Sequence, residues 1–305
     1  MRHYFFSREN SSIHIFLFFE PLNRKFYALL LASMKKLLCI IQNLSLDVTA
    51  GAVISSLFVG KVFKVQLSLN MIFGLGIAIW LIYTVDHLLD GHFGSNQPKN
   101  RRHAFHQRHK IKLLFLSCIV FLLGLINLVY LPWATIELGL VLGAFVLFYF
   151  GSLYLLKISK TWHKEILAAI IYTVGVFAAP LSQIDKVGLG ELFLLSQFFL
   201  VVLSNLFLFP VYEYQIDRQD ELQSIVTTKG KAFVNQLILT IVIANVCLMV
   251  VALILGQSYQ STMILFSMNL VLFTLWKWPQ FFQINERYRF LGDGIFFIPL
   301  CYLLL

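Results

Sequence analysis

The sequence predicts an all-α, polytopic membrane protein. Of its 305 residues 59% are hydrophobic and only 13% charged. Its apolar stretches repeatedly approach or exceed the roughly 18 residues that suit a bilayer crossing. Lys and Arg gather in alternate loops between those stretches, as they do when one face of a membrane protein is cytoplasmic.

Residues 1–43 differ from the rest. The apolar run Ile13 to Phe19 is too short to span a bilayer and is followed by Glu20, Pro21, Arg24 and Lys25. No small-residue cleavage site follows an apolar stretch of signal-peptide form. This segment is expected to be cytoplasmic or interfacial, and Met34, directly before Lys35 and Lys36, offers an alternative translation start. Residues 44–305 are expected to form the transmembrane domain.

Nine spans are expected there, the last two short: Leu44 to Phe63, Leu67 to Leu89, Ile111 to Leu131, Ala134 to Leu156, Glu165 to Ile184, Leu189 to Tyr212, Phe233 to Leu255, Thr262 to Trp276 and Phe290 to Leu305. Lys99, Arg101, Arg102, Arg108 and Lys110 follow the second span, and Lys157, Lys160 and Lys164 lie between the fourth and fifth. Arg218, Lys229 and Lys231 follow the sixth, and Lys277, Arg287 and Arg289 follow the eighth. The loops of opposite parity are almost free of positive charge, with Lys61, Lys64 and Lys186 as exceptions. The N-terminus is therefore expected in the cytoplasm and the C-terminus outside, in the inner membrane if the source is bacterial. Positive loops facing an anionic leaflet account for the net charge of +9 without a nucleic-acid partner. Four scattered cysteines, Cys39, Cys118, Cys247 and Cys301, form neither a disulfide framework nor a zinc spacing.

Two acidic clusters interrupt this apolar background. Asp86 and Asp90 stand four apart at the end of the second span; Glu213, Asp217 and Glu221, with Asp220 beside them, repeat that spacing at the end of the sixth. A separation of four puts carboxylates on one helical face, one turn apart. Carboxylates at a helix C-terminus oppose the macrodipole by about 0.3–1 kcal/mol each, so two such clusters call for compensating positive charge. Oxygen ligands beside Lys and Arg suit Mg²⁺ shared with a phosphate. A lipid diphosphate would fit, with its tail between helices and its head at the cytoplasmic mouth.

At these residues the chain resembles the UbiA superfamily of intramembrane prenyltransferases, which have nine helices and two cytoplasmic aspartate-rich motifs. The likeness covers about residues 44–305. The first motif, Asn-Asp-x-x-Asp-x-x-x-Asp, aligns with residues 82–90 and matches at Asp86 and Asp90, whereas Ile82 and Tyr83 replace its leading Asn and Asp. The second, Asp-x-x-x-Asp, aligns with Asp217 to Glu221, followed by Thr227, Thr228 and Gly230. Tyr154, Lys157 and Lys164 resemble the family's Tyr and Lys segment after the fourth span.

The resemblance implies a nine-helix UbiA-type bundle and an enzyme. Its reaction would be Mg²⁺-dependent transfer of a prenyl group from a polyprenyl diphosphate to a lipophilic acceptor, an aromatic ring or quinone precursor. It implies Asp86, Asp90, Asp217 and Glu221 as Mg²⁺ ligands, with Asp220 and Glu213 assisting. Arg101, Arg102, Lys157 and Lys164 would meet the diphosphate. Aromatic faces stabilise an allylic cation; most of the 30 Phe, 12 Tyr and 5 Trp are expected to face lipid or pack helices, and Tyr83, Tyr154 and Tyr172 are the candidates.

The altered first motif leaves a second reading, a member that binds a prenyl lipid or a protein partner without turnover. A histidine-ligated di-iron oxygenase is a third. His87, His92, His103, His106 and His109 are close in sequence, but adjacent histidine pairs and a box after the sixth span are missing. Transporters bind near the membrane midplane, unlike acids at helix ends.

Overall fold

A bilayer offers the backbone no hydrogen-bond partners, so each long apolar run must satisfy its own amides as a helix. The computed structural model describes residues 33, 36–93, 101–155, 163–220 and 224–305, and among them there is no strand. The chain divides into two units at Leu44 and Ser45. In the first, residues 36–43 are helical. Met34, the alternative translation start, lies outside the described residues.

The second unit begins with α1 (Leu46–Phe63) and α2 (Leu69–Phe93), followed by the short polar α3 (Arg101–Arg108). Next come α4 (Lys110–Leu128), α5 (Trp133–Phe150) with a π-helical turn at Gly151–Leu155, α6 (His163–Leu181) and the long α7 (Leu189–Gln219). The chain continues through α8 (Ile225–Lys229), α9 (Lys231–Ile254) and α10 (Tyr259–Lys277). It ends with α11 (Pro279–Gln283), α12 (Arg287–Gly294) and α13 (Leu300–Leu304). Seven of these, α1, α2, α4, α5, α6, α7 and α9, are long and apolar enough to cross a membrane. α10 has 19 residues but carries Gln260, Ser261, Thr262 and Asn269, which dilute its hydrophobicity.

The expected last span is helical but not one α-helix. Between α12 and α13 a 3₁₀ turn covers Ile295–Phe297, and Ile298 and Cys301 donate to the carbonyls three residues back, Ile295 and Ile298. Pro299 has no N–H to continue an α-helical ladder, and tightening to 3₁₀ accommodates it.

α6 and α7 form the middle of the bundle. α7 packs on α6, α9 and α10, and α6 also packs on α1, α2 and α5. Phe177 on α6 and Phe198 and Phe207 on α7 are fully buried. α4 and α5 instead turn most of their large apolar side chains outward, among them Ile111, Phe115, Phe145 and Leu147, as a lipid-facing surface requires. Polar side chains tie helices together inside: Asn245 of α9 donates to the Gln197 carbonyl of α7 at 3.4 Å, and Asn269 of α10 donates to the Val242 carbonyl of α9 at 3.4 Å.

Two glycines permit close approach of the last segment. A Cβ at Gly51 of α1 would lie 2.7 Å from Phe296 Cβ, and one at Gly292 of α12 would lie 2.9 Å from Asn205 Oδ1 and the Phe209 ring of α7. The last segment is thereby seated against both α1 and α7, and its polar residues join those of the neighbouring helix ends.

Candidate functional site

The two acidic helix ends sit on either side of α6, whose first turn meets both. On α2, Asp86 faces Lys164 of α6, with Nζ 3.8 Å from Oδ2. On the other side, Glu165 of α6 accepts the backbone N–H of Ile225 at 2.9 Å, at the start of α8 and just beyond the second acidic stretch. Lys164 and Glu165 are consecutive, and their side chains engage Asp86 on one side and the start of α8 on the other.

Asp217 and Asp220 are both buried, at 7% and 2% exposure, which is unusual for acids unless they are bonded. Ser224 lies within electrostatic reach of Asp217, and Glu213 and Glu165 lie close enough to repel it. Glu213, one turn earlier, is paired with Arg289 of α12 at 3.0 Å. Tyr288 donates its hydroxyl to the same carboxylate at 3.3 Å and accepts from Arg289 Nε at 3.2 Å. Its ring stacks flat on Tyr212, with centroids 4.3 Å apart.

One turn further along α12, Asp293 receives the guanidinium of Arg102 at 2.8 Å, and Asp47 on the first turn of α1 stands 3.7 Å from the same group. All three side chains are nearly enclosed, with exposures of 13% or less. A guanidinium between two carboxylates is a charge-assisted arrangement that offsets the cost of burying each ion only while all partners are present. Arg101, by contrast, meets Glu286 at 3.7 Å on the open surface.

The neighbouring histidines lie among these groups rather than in a separate cluster. His106 Nδ1–H donates to the Arg102 carbonyl at 2.9 Å, and its ring centroid is 4.9 Å from that of His87. Burial, reinforced by the Arg102 charge, pushes His106 below the ordinary histidine range, so it is neutral at physiological pH.

The structure pairs Asp86 with Lys164 and sets Glu213 within electrostatic reach of Asp217, and it adds residues that the sequence did not single out for the site: Asp47, Glu165, Tyr288, Arg289 and Asp293. Tyr83 lies within electrostatic reach of Asp86, Asp293, Asp47 and Arg102, and Tyr172 within reach of Tyr83. The buried Tyr172 ring lies parallel to Phe198 at 6.5 Å and tilted against Phe296 at 5.2 Å. Lys157 and Glu221 lie outside the described residues, as do the side chains of Asp90 and Tyr154. Among the expected diphosphate residues, Arg102 is already engaged by two carboxylates and Lys164 by one.

Among the described residues no three His, Cys, Asp or Glu side chains converge as a ready metal cage. Mg²⁺ does not need one, since it takes one or two carboxylates and completes its shell with water and phosphate oxygens. The donors present, Asp86 and the buried Asp217, are hard oxygen ligands that fit this mode.

No protein-family profile matches the chain, and no curated protein matches it by sequence. Solved structures do. The apo structure of a UbiA homologue from Aeropyrum pernix K1 matches with a TM-score of 0.63 at 13% identity, over 86% of this chain and 98% of that one. A UbiA homologue from Archaeoglobus fulgidus bound to GPP and Mg²⁺ matches with a TM-score of 0.60 at 11% identity, over 88% and 100%. A digeranylgeranylglyceryl phosphate synthase matches with a TM-score of 0.55 at 14% identity, over 88% and 96%. With its long apolar helices, the chain is an integral membrane protein that adopts the fold of the UbiA superfamily.

Proposed function

We propose that the chain transfers a prenyl group from a polyprenyl diphosphate to a lipophilic acceptor, an aromatic ring or quinone precursor, with Mg²⁺ as cofactor. The observation that carries this reading is the pair of acidic helix ends joined through the first turn of α6, within a UbiA-type fold. The Archaeoglobus fulgidus homologue, solved with DMAPP and Mg²⁺ and with GPP and Mg²⁺, supports the substrate class.

Asp86, Asp90, Asp217 and Glu221 are the proposed Mg²⁺ ligands, with Asp220 and Glu213 assisting. When bound, the metal supplies charge neutralisation on the diphosphate. Lys164, Lys157, Arg101 and Arg102 supply positive charge where the diphosphate departs. Lys164 is the strongest of these, being half-buried and held beside Asp86. Tyr83, Tyr154 and Tyr172 offer aromatic faces to the allylic cation, each stabilising it by about 0.5–2 kcal/mol. The helices hold the acceptor against the allylic carbon, so the enzyme works mainly by orientation and electrostatics. Positive loops put the acidic ends in the cytoplasm.

Ile82 and Tyr83, where the related motif has Asn and Asp, favour a second reading, a prenyl-lipid binder without turnover. The deciding experiment is diphosphate release from geranyl, farnesyl and geranylgeranyl diphosphates in nanodiscs, with aromatic acceptors, with and without Mg²⁺. The expected result is Mg²⁺-dependent release that falls at least about tenfold in Asp217→Asn. Full activity in that variant removes Asp217 from the site. Mg²⁺-dependent binding without release would establish the second reading.

A further inference from the structure

We infer that Glu165 is a positioning residue for the second acidic cluster, an inference that rests on the proposed Mg²⁺–diphosphate site. It has no counterpart among the motif residues. It lies in the first turn of α6, and its Oε1 accepts the N–H of Ile225 at 2.9 Å from a position 60 residues earlier in the chain.

The bond matters because of what Ile225 would otherwise lack. The first amides of a helix have no intrahelical acceptor, and Ile225 is fully buried at the first position of α8. The Ser224 side chain caps a different amide, accepting from Thr227 N–H at 3.5 Å. Glu165 is thus the acceptor that holds the start of α8. Ser224, next to Ile225, lies within electrostatic reach of Asp217, as does Glu165 itself. Through the Ile225 amide, Glu165 therefore fixes the start of α8 beside Asp217.

Lys164 does the corresponding work for the first cluster by facing Asp86 at 3.8 Å. One turn of α6 thereby sets the positions of both acidic ends. Residues that orient metal ligands without touching the metal typically change metal affinity by about 10–100-fold when removed.

Two variants in nanodiscs test the inference. Glu165→Met keeps the length of the side chain and has no carboxylate acceptor, whereas Glu165→Gln keeps an oxygen acceptor. Backbone amide exchange at Ile225 should accelerate in Glu165→Met and remain slow in Glu165→Gln. The Mg²⁺ concentration for half-maximal geranyl diphosphate binding should rise about tenfold in Glu165→Met and stay near wild type in Glu165→Gln. A residue that only packed the bundle would lower thermal stability without moving the Mg²⁺ dependence. Unchanged exchange in Glu165→Met overturns the inference, as does faster exchange with unmoved Mg²⁺ dependence. If the wild type binds geranyl diphosphate without any need for Mg²⁺, the Mg²⁺-site reading fails instead, and the exchange data alone decide whether Glu165 holds α8.

Discussion

Asp293 and Arg102 show how far a buried pair differs from an exposed one. Their 2.8 Å contact is enclosed by α1, α3 and α12, and the Asp47 carboxylate stands 3.7 Å from the same guanidinium. Removing the shared cation leaves two buried carboxylates without it, so Arg102→Met should destabilise the protein by about 3 kcal/mol. Glu286→Gln breaks only the open contact with Arg101 and should cost less than about 1 kcal/mol. Thermal unfolding in one detergent measures both, and equal losses would contradict the assignment of Asp293 to a buried charge cluster. Asp293 could have been noticed in the sequence, since an acid inside an apolar stretch is a default functional or structural signal. Its partner could not, because Arg102 is 191 residues away. Glu165 was hidden for the same reason. Its acceptor role depends on a backbone amide brought to it by the fold, and no spacing rule reports that.

At the scale of elements, hydrophobic length was a good guide where apolar runs were uninterrupted. α1, α4, α6 and α9 begin and end within a few residues of the expected spans. α7 continues beyond its expected end at Tyr212 to Gln219, carrying Glu213 and Asp217 on the same helix as the apolar core. The sequence could place Asp217 at a helix end, but the burial of that end comes from the packing of α8 and α12 around it. The last segment needed more than hydropathy, because Pro299 and the 3₁₀ turn at Ile295–Phe297 break it. Its approach to α1 depends on Gly51, where an added Cβ would stand 2.7 Å from Phe296 Cβ. The contact is close to the backbone of Phe296, so rotation of its ring cannot relieve it. Gly51→Ala should therefore cost about 1–3 kcal/mol by overpacking. A thermal midpoint equal to wild type would show that α1 and the last segment are not held this closely.

For the whole molecule, patterning and charge asymmetry identified an all-α membrane protein, and the aspartate spacing led to the UbiA resemblance; structural likeness at 11–13% identity supports that fold. The sequence could not show how the site is braced. Two posts hold it: α12 carries Arg289 to Glu213 and Asp293 to Arg102, and the first turn of α6 carries Lys164 to Asp86 and Glu165 to Ile225. In this account the two acidic ends are halves of one Mg²⁺–diphosphate site, so losing either half should be nearly equivalent to losing both. The most direct measurement is Mg²⁺-dependent binding of geranyl diphosphate to the wild type, to Asp86→Asn, to Asp217→Asn and to the double variant. The account predicts that each single variant loses at least about tenfold in affinity and that the double variant loses little more, because groups acting as a unit are strongly non-additive. Wild-type binding in both single variants would contradict it, and so would losses that simply multiply in the double variant.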